Sequence, residues 1–132
     1  MYLFDTNVCI ALLNNSNDRL STKFYSVENE KKFLCSIVIA ELYYGVYKSK
    51  RIAENLSKLR LVFSGYDCLD FDETAAEIFG RIRTDLYSAG TPIGPYDMQI
   101  AAIALANDLI LITNNTKEFS RIASLKIEDW SL

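Results

Sequence analysis

The sequence contains no histidine among its 132 residues. This absence excludes Ser-His-Asp and Cys-His triads, zinc sites built on imidazole, and ribonuclease chemistry that uses a pair of histidines. Any hydrolytic activity must therefore rely on carboxylates, on a metal ion, or on both.

Cysteine is also scarce. The three cysteines, Cys9, Cys35 and Cys68, are widely separated and stand among apolar residues. An odd number at such spacing fits neither a disulfide framework nor a metal site. We therefore expect reduced core thiols in a cytoplasmic protein.

Long apolar runs are missing, because Asp5, Glu41 and Asp97 interrupt the longest candidates. We expect no signal peptide, no membrane span and no membrane partner. Half of the residues are nevertheless hydrophobic. This composition predicts a single folded domain over residues 1–132.

The net charge of −3 does not by itself favour a polyanionic partner. However, the excess equals the three acids just named. If these acids share one pocket, they account for the whole imbalance, and bound divalent cations would neutralise it locally.

Short apolar segments alternate with longer helical patterns, and no linker or repeat interrupts them. This alternation predicts an α/β fold with a central, mostly parallel sheet of four to five short strands and helices on both faces. Strands are predicted at 1–4, 33–35, 68–71, 109–112 and 125–127; helices are predicted at 8–13, 20–30, 37–47, 52–63, 73–88 and 95–106, with a helical turn at 117–121.

Asp97 stands at the entrance of an apolar helix. Gly94 and Pro95 break the preceding loop, and no further charge follows until Asp108. The helix dipole and the free N–H groups of the first turn favour an ionised carboxylate there. Taken alone, Asp97 is read more simply as a capping acid.

Asp5 and Glu41 occupy comparable surroundings. Asp5 follows the apolar segment 1–4 at a strand-to-helix turn, and ligands bind at such turns in open α/β sheets. Glu41 is the only charge in the segment 37–47. A dry, unpaired carboxylate is costly, so Glu41 needs a metal, a base or a wet cleft. The simpler alternatives are a capping role for Asp5 and a solvated edge for Glu41.

Asp5, Glu41 and Asp97, together with Asn115, are predicted to meet at the carboxyl edge of one sheet. Oxygen donors without His or Cys suit Mg²⁺ or Mn²⁺. Such a cluster serves phosphoryl chemistry, because a divalent ion activates water, orients the phosphate and stabilises the departing oxygen.

Four segments carry a family resemblance. The sequences YLFDTN at 2–7, SIVIAELYYG at 36–45, GPYDMQIAA at 94–102 and LITNNTKEF at 111–119 resemble, in order, the four motifs of PIN-domain ribonucleases. The closing IEDW at 127–130 is similar to the VapC toxins of type II toxin–antitoxin pairs. The resemblance covers the whole chain.

The resemblance implies a PIN-like fold and a Mg²⁺- or Mn²⁺-dependent endoribonuclease that leaves a 5′-phosphate and a 3′-hydroxyl. Asp5 and Asp97 would be the main metal ligands, and Glu41 would complete the set directly or through water. The hydroxyls of Thr6 or Thr113 would orient these carboxylates.

Asn115 departs from the family pattern, because many relatives carry Asp there. An amide positions a ligand or a water molecule but adds no charge. We therefore expect one strong metal site.

The resemblance also implies partners. The substrate would be a structured RNA, with transfer RNA favoured, whose exposed loop reaches a groove lined by Lys48, Lys50 and Arg51. A VapB-type antitoxin would cover the acidic groove with its peptide tail. The toxin would form a homodimer and would meet operator DNA only through the antitoxin.

Two alternatives belong to other classes. A receiver-like signalling domain also gathers Mg²⁺-binding acids at strand ends, but it needs a Lys at the end of a late strand, where this chain has Thr113-Asn114-Asn115. A catalytically silent, partner-binding PIN protein would keep the fold without the activity.

Overall fold

A computed structural model describes all residues from 1 to 132. It contains five strands, seven α-helices and one short 3-10 helix. The strands are β1 (Tyr2–Phe4), β2 (Lys32–Cys35), β3 (Asp67–Leu69), β4 (Ile110–Ile112) and β5 (Ile127–Glu128). The helices are α1 (Thr6–Asn14), α2 (Asp18–Ser26), α3 (Ser36–Tyr47), α4 (Ile52–Phe63), α5 (Glu73–Ser88), α6 (Pro95–Ala106) and α7 (Thr116–Phe119), and the 3-10 helix is Asn29–Lys31.

The strands form one sheet in the order β3-β2-β1-β4-β5, and every neighbouring pair is parallel. The chain first moves outward from β1 to β3, then returns past β1 to add β4 and β5. Right-handed crossovers in these two directions place helices on opposite faces of the sheet. The α/β expectation is confirmed, and the direction of winding reverses between β1 and β4.

The core is one cluster of 31 buried hydrophobic residues. Helix α6 contributes most densely, because Met98 and every residue from Ile100 to Ala104 are buried. The apolar helix that begins at Pro95 is therefore packed on most of its circumference, as its sequence predicts. Only its first turn, with Asp97, reaches the edge of the sheet.

Some predicted boundaries were wrong. The helix predicted at 20–30 starts earlier, because the Asn17 side chain accepts a hydrogen bond from the Leu20 N–H and caps α2. It ends at Ser26, because Val27 adopts an extended backbone with φ −85° and ψ 139°. The last strand begins at Ile127 rather than at residue 125.

The cysteine prediction holds for two of the three residues. Cys9 and Cys35 are buried free thiols, whereas Cys68 is exposed. Cys68 lies on β3, which is an edge strand of the sheet and has no buried residue.

Lys32 is an unexpected member of the core, with a side chain only 2% exposed. Its amine donates to the Phe24 carbonyl oxygen at 2.8 Å and lies 4.1 Å from the centre of the Phe24 ring and 5.2 Å from that of Tyr66. A carbonyl and aromatic faces thus replace a carboxylate partner. Burial lowers the pKa of this amine.

Trp130 fastens the carboxyl-terminal tail to the sheet. Its ring packs edge-on against Tyr2 and Phe4, with ring centres 4.9 and 5.4 Å apart. Its indole N–H donates to Glu128 Oε1 at 3.0 Å. The tail after β5 is therefore held firmly beside the first strand. No helix in the structure has the length and hydrophobicity that a membrane span requires.

We expect Trp130→Ala to lower the free energy of unfolding by about 3 kcal/mol or more, because it empties a large buried volume. Urea denaturation followed by circular dichroism measures this loss, since the variant lacks the only tryptophan. Leu61→Ala is the control, because Leu61 is 82% exposed and should change stability by no more than about 0.5 kcal/mol. A loss below about 1 kcal/mol for Trp130→Ala would contradict the packing role.

Candidate active site

Polar residues follow three strands directly at the carboxyl edge of the sheet. Asp5 follows β1, Thr113 follows β4 and Asp129 follows β5. The backbone N–H of Asp5 donates to the Ile112 carbonyl at 3.1 Å, so the first two positions are adjacent. This edge, at the point where the winding reverses, is where open α/β sheets bind ligands.

Asp5 is almost fully buried, at 4% exposed. Its Oδ1 accepts the Val8 N–H at 2.9 Å, and its Oδ2 accepts the Thr113 hydroxyl. Asp5 thus caps α1, as the simpler interpretation of the sequence predicts, but the cap uses only one of its two carboxylate oxygens. Burial raises the pKa of Asp5 above its usual range; the two hydrogen bonds oppose this, and the charges of Glu41 and Asp129 add to it.

Glu41 is half-buried on α3 and faces the same edge. Its Oε1 accepts the Thr6 hydroxyl at 2.7 Å, which links α3 to the first turn of α1. Both threonines singled out by the sequence therefore bind a carboxylate: Thr6 binds Glu41, and Thr113 binds Asp5.

Asp97 lies in the first turn of α6 and is partly buried. Its pKa is raised to about 6, first by burial and then by the negative charges of Asp5, Glu118 and Glu41, in that order. The three acids selected from the sequence therefore lie within electrostatic reach of one another, although they stand on separate parts of the chain, at the end of β1, on α3 and on α6.

The side-chain amide of Asn115 is already hydrogen-bonded within the fold. Its side-chain N–H donates to Glu118 Oε2 at 2.9 Å, and its backbone N–H donates to the Thr113 hydroxyl at 2.9 Å. Asn115 therefore positions two neighbours, and Glu118 supplies the charge that an amide lacks.

Glu118 and Asp129 are functional candidates that the sequence reasoning missed. Glu118 acts on the pKa of Asp97, and Asp129 acts on that of Asp5. A signal for Glu118 was present, because it lies three residues after Asn115 in a helical segment and shares its face. Asp129 carried a weaker signal, its position directly after a strand in the closing IEDW segment.

The acids have no basic partner. The three ion pairs of the chain join exposed residues elsewhere: Lys31 to Glu28, Arg51 to Glu54 and Arg81 to Glu77. Burial raises the pKa values of Asp5 and Asp97, and the neighbouring negative charges raise them further. This donor set suits a hard divalent cation.

No three carboxylates approach closely enough in the structure to share a metal ion. Each of three acids instead accepts a side-chain hydrogen bond: Asp5 from Thr113, Glu41 from Thr6, and Glu118 from Asn115. The hydroxyl and amide donors thus partly replace a cation. Coordination by Asp5, Glu41 and Asp97 remains a prediction.

A groove of about 200 Å³ borders Glu41 between α1, α3 and α4. Gly45 leaves it open, since a Cβ there would meet nothing within 4 Å, and Asn55 and Lys58 line its far side. The predicted basic residues are more distant, because Lys48 lies about two helical turns beyond Glu41. Lys58 is therefore the cation nearest the acids along this groove.

Comparisons with known proteins agree with this geometry. The family model described as PIN domain matches residues 2–125. The chain is 38% identical over 130 residues to the tRNA(fMet)-specific endonuclease VapC of Shigella flexneri, covering 98% of each chain. It is 39% identical over 131 residues to ribonuclease VapC2 of Rickettsia felis, again covering 98% of each.

The chain is a PIN-domain member of the VapC ribonuclease family. A crystal structure of DNA-bound VapBC from Salmonella typhimurium superimposes on this VapC-family chain with a TM-score of 0.92 at 38% identity, covering 98% of this chain and 97% of that one. The resemblance inferred from the four segments is thereby confirmed. The receiver-like alternative is not supported, because β4 of the VapC-family chain is followed by Thr113 rather than by a lysine.

The raised pKa of Asp97 predicts the direction in which the stability of the protein changes with pH. Because the folded-state value of about 6 exceeds the ordinary 3.8, the folded protein favours the protonated form. Metal-free protein should lose stability as the pH rises through about 6. Asp97→Asn removes the cost of ionising this carboxylate. In EDTA near pH 7 the variant should therefore have a higher melting temperature than the wild type, and below about pH 4 the two melting temperatures should be equal.

Thermal melts at both pH values measure this difference. Asp67→Asn is the matched control, because Asp67 is exposed on the opposite edge strand. A variant that melts below the wild type near neutral pH would show that Asp97 stabilises the fold through an attractive contact.

Proposed function

We propose that this VapC-family protein is a divalent-metal-dependent endoribonuclease. The observation that carries the proposal is the partly buried cluster of Asp5, Glu41, Asp97 and Glu118, which has no basic partner inside the fold. A cation from outside the chain would relieve the repulsion among these charges while the acids stay ionised. The likeness to VapC ribonucleases supports the use of such a cluster for RNA hydrolysis.

Asp5 and Asp97 are the residues that would hold Mg²⁺ or Mn²⁺, with Glu41 completing the set directly or through water. When bound, the ion would polarise the scissile phosphate and lower the pKa of a water molecule. We propose one strong site, because the Asn115 amide adds no charge, although Glu118 brings a carboxylate close to it.

The protein's own groups prepare this site. The Thr113 hydroxyl and the Val8 N–H fix both oxygens of Asp5, and the Thr6 hydroxyl fixes one oxygen of Glu41. Such supporting hydrogen bonds keep carboxylates in one orientation and so reduce the reorganisation needed on binding. Asp97, whose pKa is about 6, exchanges its proton close to neutral pH.

We propose a structured RNA as substrate, with transfer RNA favoured, in the cytoplasm. The Shigella flexneri relative is named for activity on tRNA(fMet). An unpaired loop exposes its backbone and bases, whereas the deep groove of an RNA duplex does not admit side chains. The open groove beside Glu41, with Lys58 on its wall, offers a path for such a loop.

We propose that a VapB-type antitoxin neutralises the enzyme. The similar Salmonella typhimurium structure is a DNA-bound VapBC complex. The antitoxin would cover the acidic groove, and operator DNA would be contacted through the antitoxin, with the toxin as a homodimer. The acidic edge of this chain is itself unsuited to DNA phosphates.

Chelation tests the metal requirement. Cleavage of transfer RNA by the purified protein should stop in EDTA and return on addition of Mg²⁺ or Mn²⁺, because the carboxylate cluster binds phosphate only when a cation neutralises it. Gel analysis of end-labelled RNA measures this, with Ca²⁺ as a comparison ion. Cleavage that persists in EDTA would refute the mechanism.

Substitution tests the residue roles. Asp5→Asn and Asp97→Asn should each reduce the cleavage rate at least about 100-fold, because each removes a charge from the metal site. Asp67→Asn should cleave like the wild type. Circular dichroism verifies that each variant is folded, and wild-type rates in either folded variant would remove that residue from the mechanism.

A further inference from the structure

A second cavity adjoins the acid cluster on the side away from α3. It encloses about 170 Å³ between the end of α1, the loop after β4 and the carboxyl-terminal tail. We call it the tail cavity. Its polar lining residues are Ser16, Asn17, Asn114, Asp129 and Ser131.

The tail cavity shares its wall with the acid cluster. Val8 lines the cavity, and its N–H binds Asp5. Asn114 also lines it and directly follows Thr113, whose hydroxyl binds Asp5 on the other oxygen. A nucleotide whose phosphate lies at Asp5 therefore has this cavity within reach of its base or its neighbour's base.

Several polar groups that line the tail cavity have no hydrogen-bond partner within the chain. Asp129 Oδ1 accepts the backbone N–H and the hydroxyl of Ser131, while its Oδ2 has no partner. Asn17 uses its oxygen to cap α2, so its NH₂ group stays available. The Asn114 side chain makes no hydrogen bond within the chain. The cavity thus offers an acceptor-only carboxylate and two amide donors.

The remaining walls are apolar and suit a flat ring. Val8, Leu20 and Trp130 contribute to them. Trp130 is held in place by its packing against the first strand. Its indole N–H is already bound to Glu128, so Trp130 offers contact area and not a hydrogen bond.

An open cleft of about 610 Å³ lies beyond Asp129 and Trp130, which line both spaces. Arg19 and Lys23 line this cleft, with Asp18 and Glu128 also present. Arg19 and Lys23 are the two groups in this cleft that could bind the phosphates of a strand continuing past the cavity.

We propose that the tail cavity binds a guanine base of the RNA next to the scissile phosphate. Asp129 Oδ2 accepts the guanine N1–H, and Oδ1 accepts N2–H in place of the Ser131 hydroxyl while keeping the Ser131 backbone N–H. Asn17 and Asn114 donate to the acceptor atoms of the same base. This inference rests on the proposed ribonuclease function and adds a determinant of its sequence specificity.

Guanine fits because a carboxylate only accepts hydrogen bonds. Guanine is the one common base with two adjacent N–H donors on its pairing edge. Adenine and cytosine place a ring acceptor beside their amino group, and uracil flanks its single N–H with two carbonyls. Each of those acceptors would face the negative charge of Asp129 and leave a buried polar group without a partner.

Base replacement in the substrate tests this proposal. The probes are RNA stem–loops that carry guanine, adenine, inosine or 2-aminopurine at each position flanking the cleaved bond. At one position, kcat/KM should fall on the order of tenfold or more from guanine to adenine. Inosine lacks the N2 amino group, and 2-aminopurine lacks N1–H. The kcat/KM of substrates with either base should lie between the values for guanine and adenine.

Asp129→Asn should reverse the preference at that position. The amide has one acceptor and one donor, which match adenine and mismatch guanine. A purely structural role of Asp129 would instead slow all substrates alike. Asn114→Ala, an exposed change, should weaken the guanine preference severalfold, and Asp67→Asn should leave it unchanged.

The two proposals fail in different ways. Absence of metal-dependent cleavage of any RNA would refute the ribonuclease function. If cleavage occurs and folded Asp129→Asn keeps the wild-type base preference at every position, the guanine site is refuted. It is also refuted if Asp129→Asn weakens only binding of the antitoxin, since the cavity would then serve a protein partner.

Discussion

Electrostatic repulsion among carboxylates organises this molecule. The fold brings acids from three helices and from the ends of two strands to a single edge of the sheet. It supplies them with hydroxyl and amide donors but with no base. Burial raises the pKa values of Asp5 and Asp97, and the charges of the neighbouring carboxylates add to this rise. A protein that was shaped for stability alone would not keep such a cluster, so the strain itself points to an external cation and to phosphate chemistry.

The supporting donors explain how the cluster stays folded. One oxygen of Asp5 caps α1 and the other receives the Thr113 hydroxyl, so one side chain serves both the helix and the site. Thr6 and Asn115 hold Glu41 and Glu118 in the same way. These contacts lower the cost of burying acids, and they hold each carboxylate in one orientation.

The carboxyl-terminal tail gives the site a second function. Trp130 anchors the tail on β1, which places Asp129 beside the sheet edge on the side opposite the groove at Glu41. The acid cluster is thereby flanked by a groove with Lys58 and by the tail cavity with its unpaired hydrogen-bonding groups. Catalysis and base recognition would then come from neighbouring strand ends of one rigid sheet.

The sequence by itself determined the fold class, most helices and the trio of Asp5, Glu41 and Asp97. Charge in an apolar surrounding is costly wherever the chain folds, so it is visible without coordinates. Only the tertiary structure decided that Glu118 and Asp129 join the trio, that Asn115 is a positioning group, that Cys68 is exposed and that Lys32 is buried. These depend on strand order and on contacts between distant segments, which local patterns do not encode.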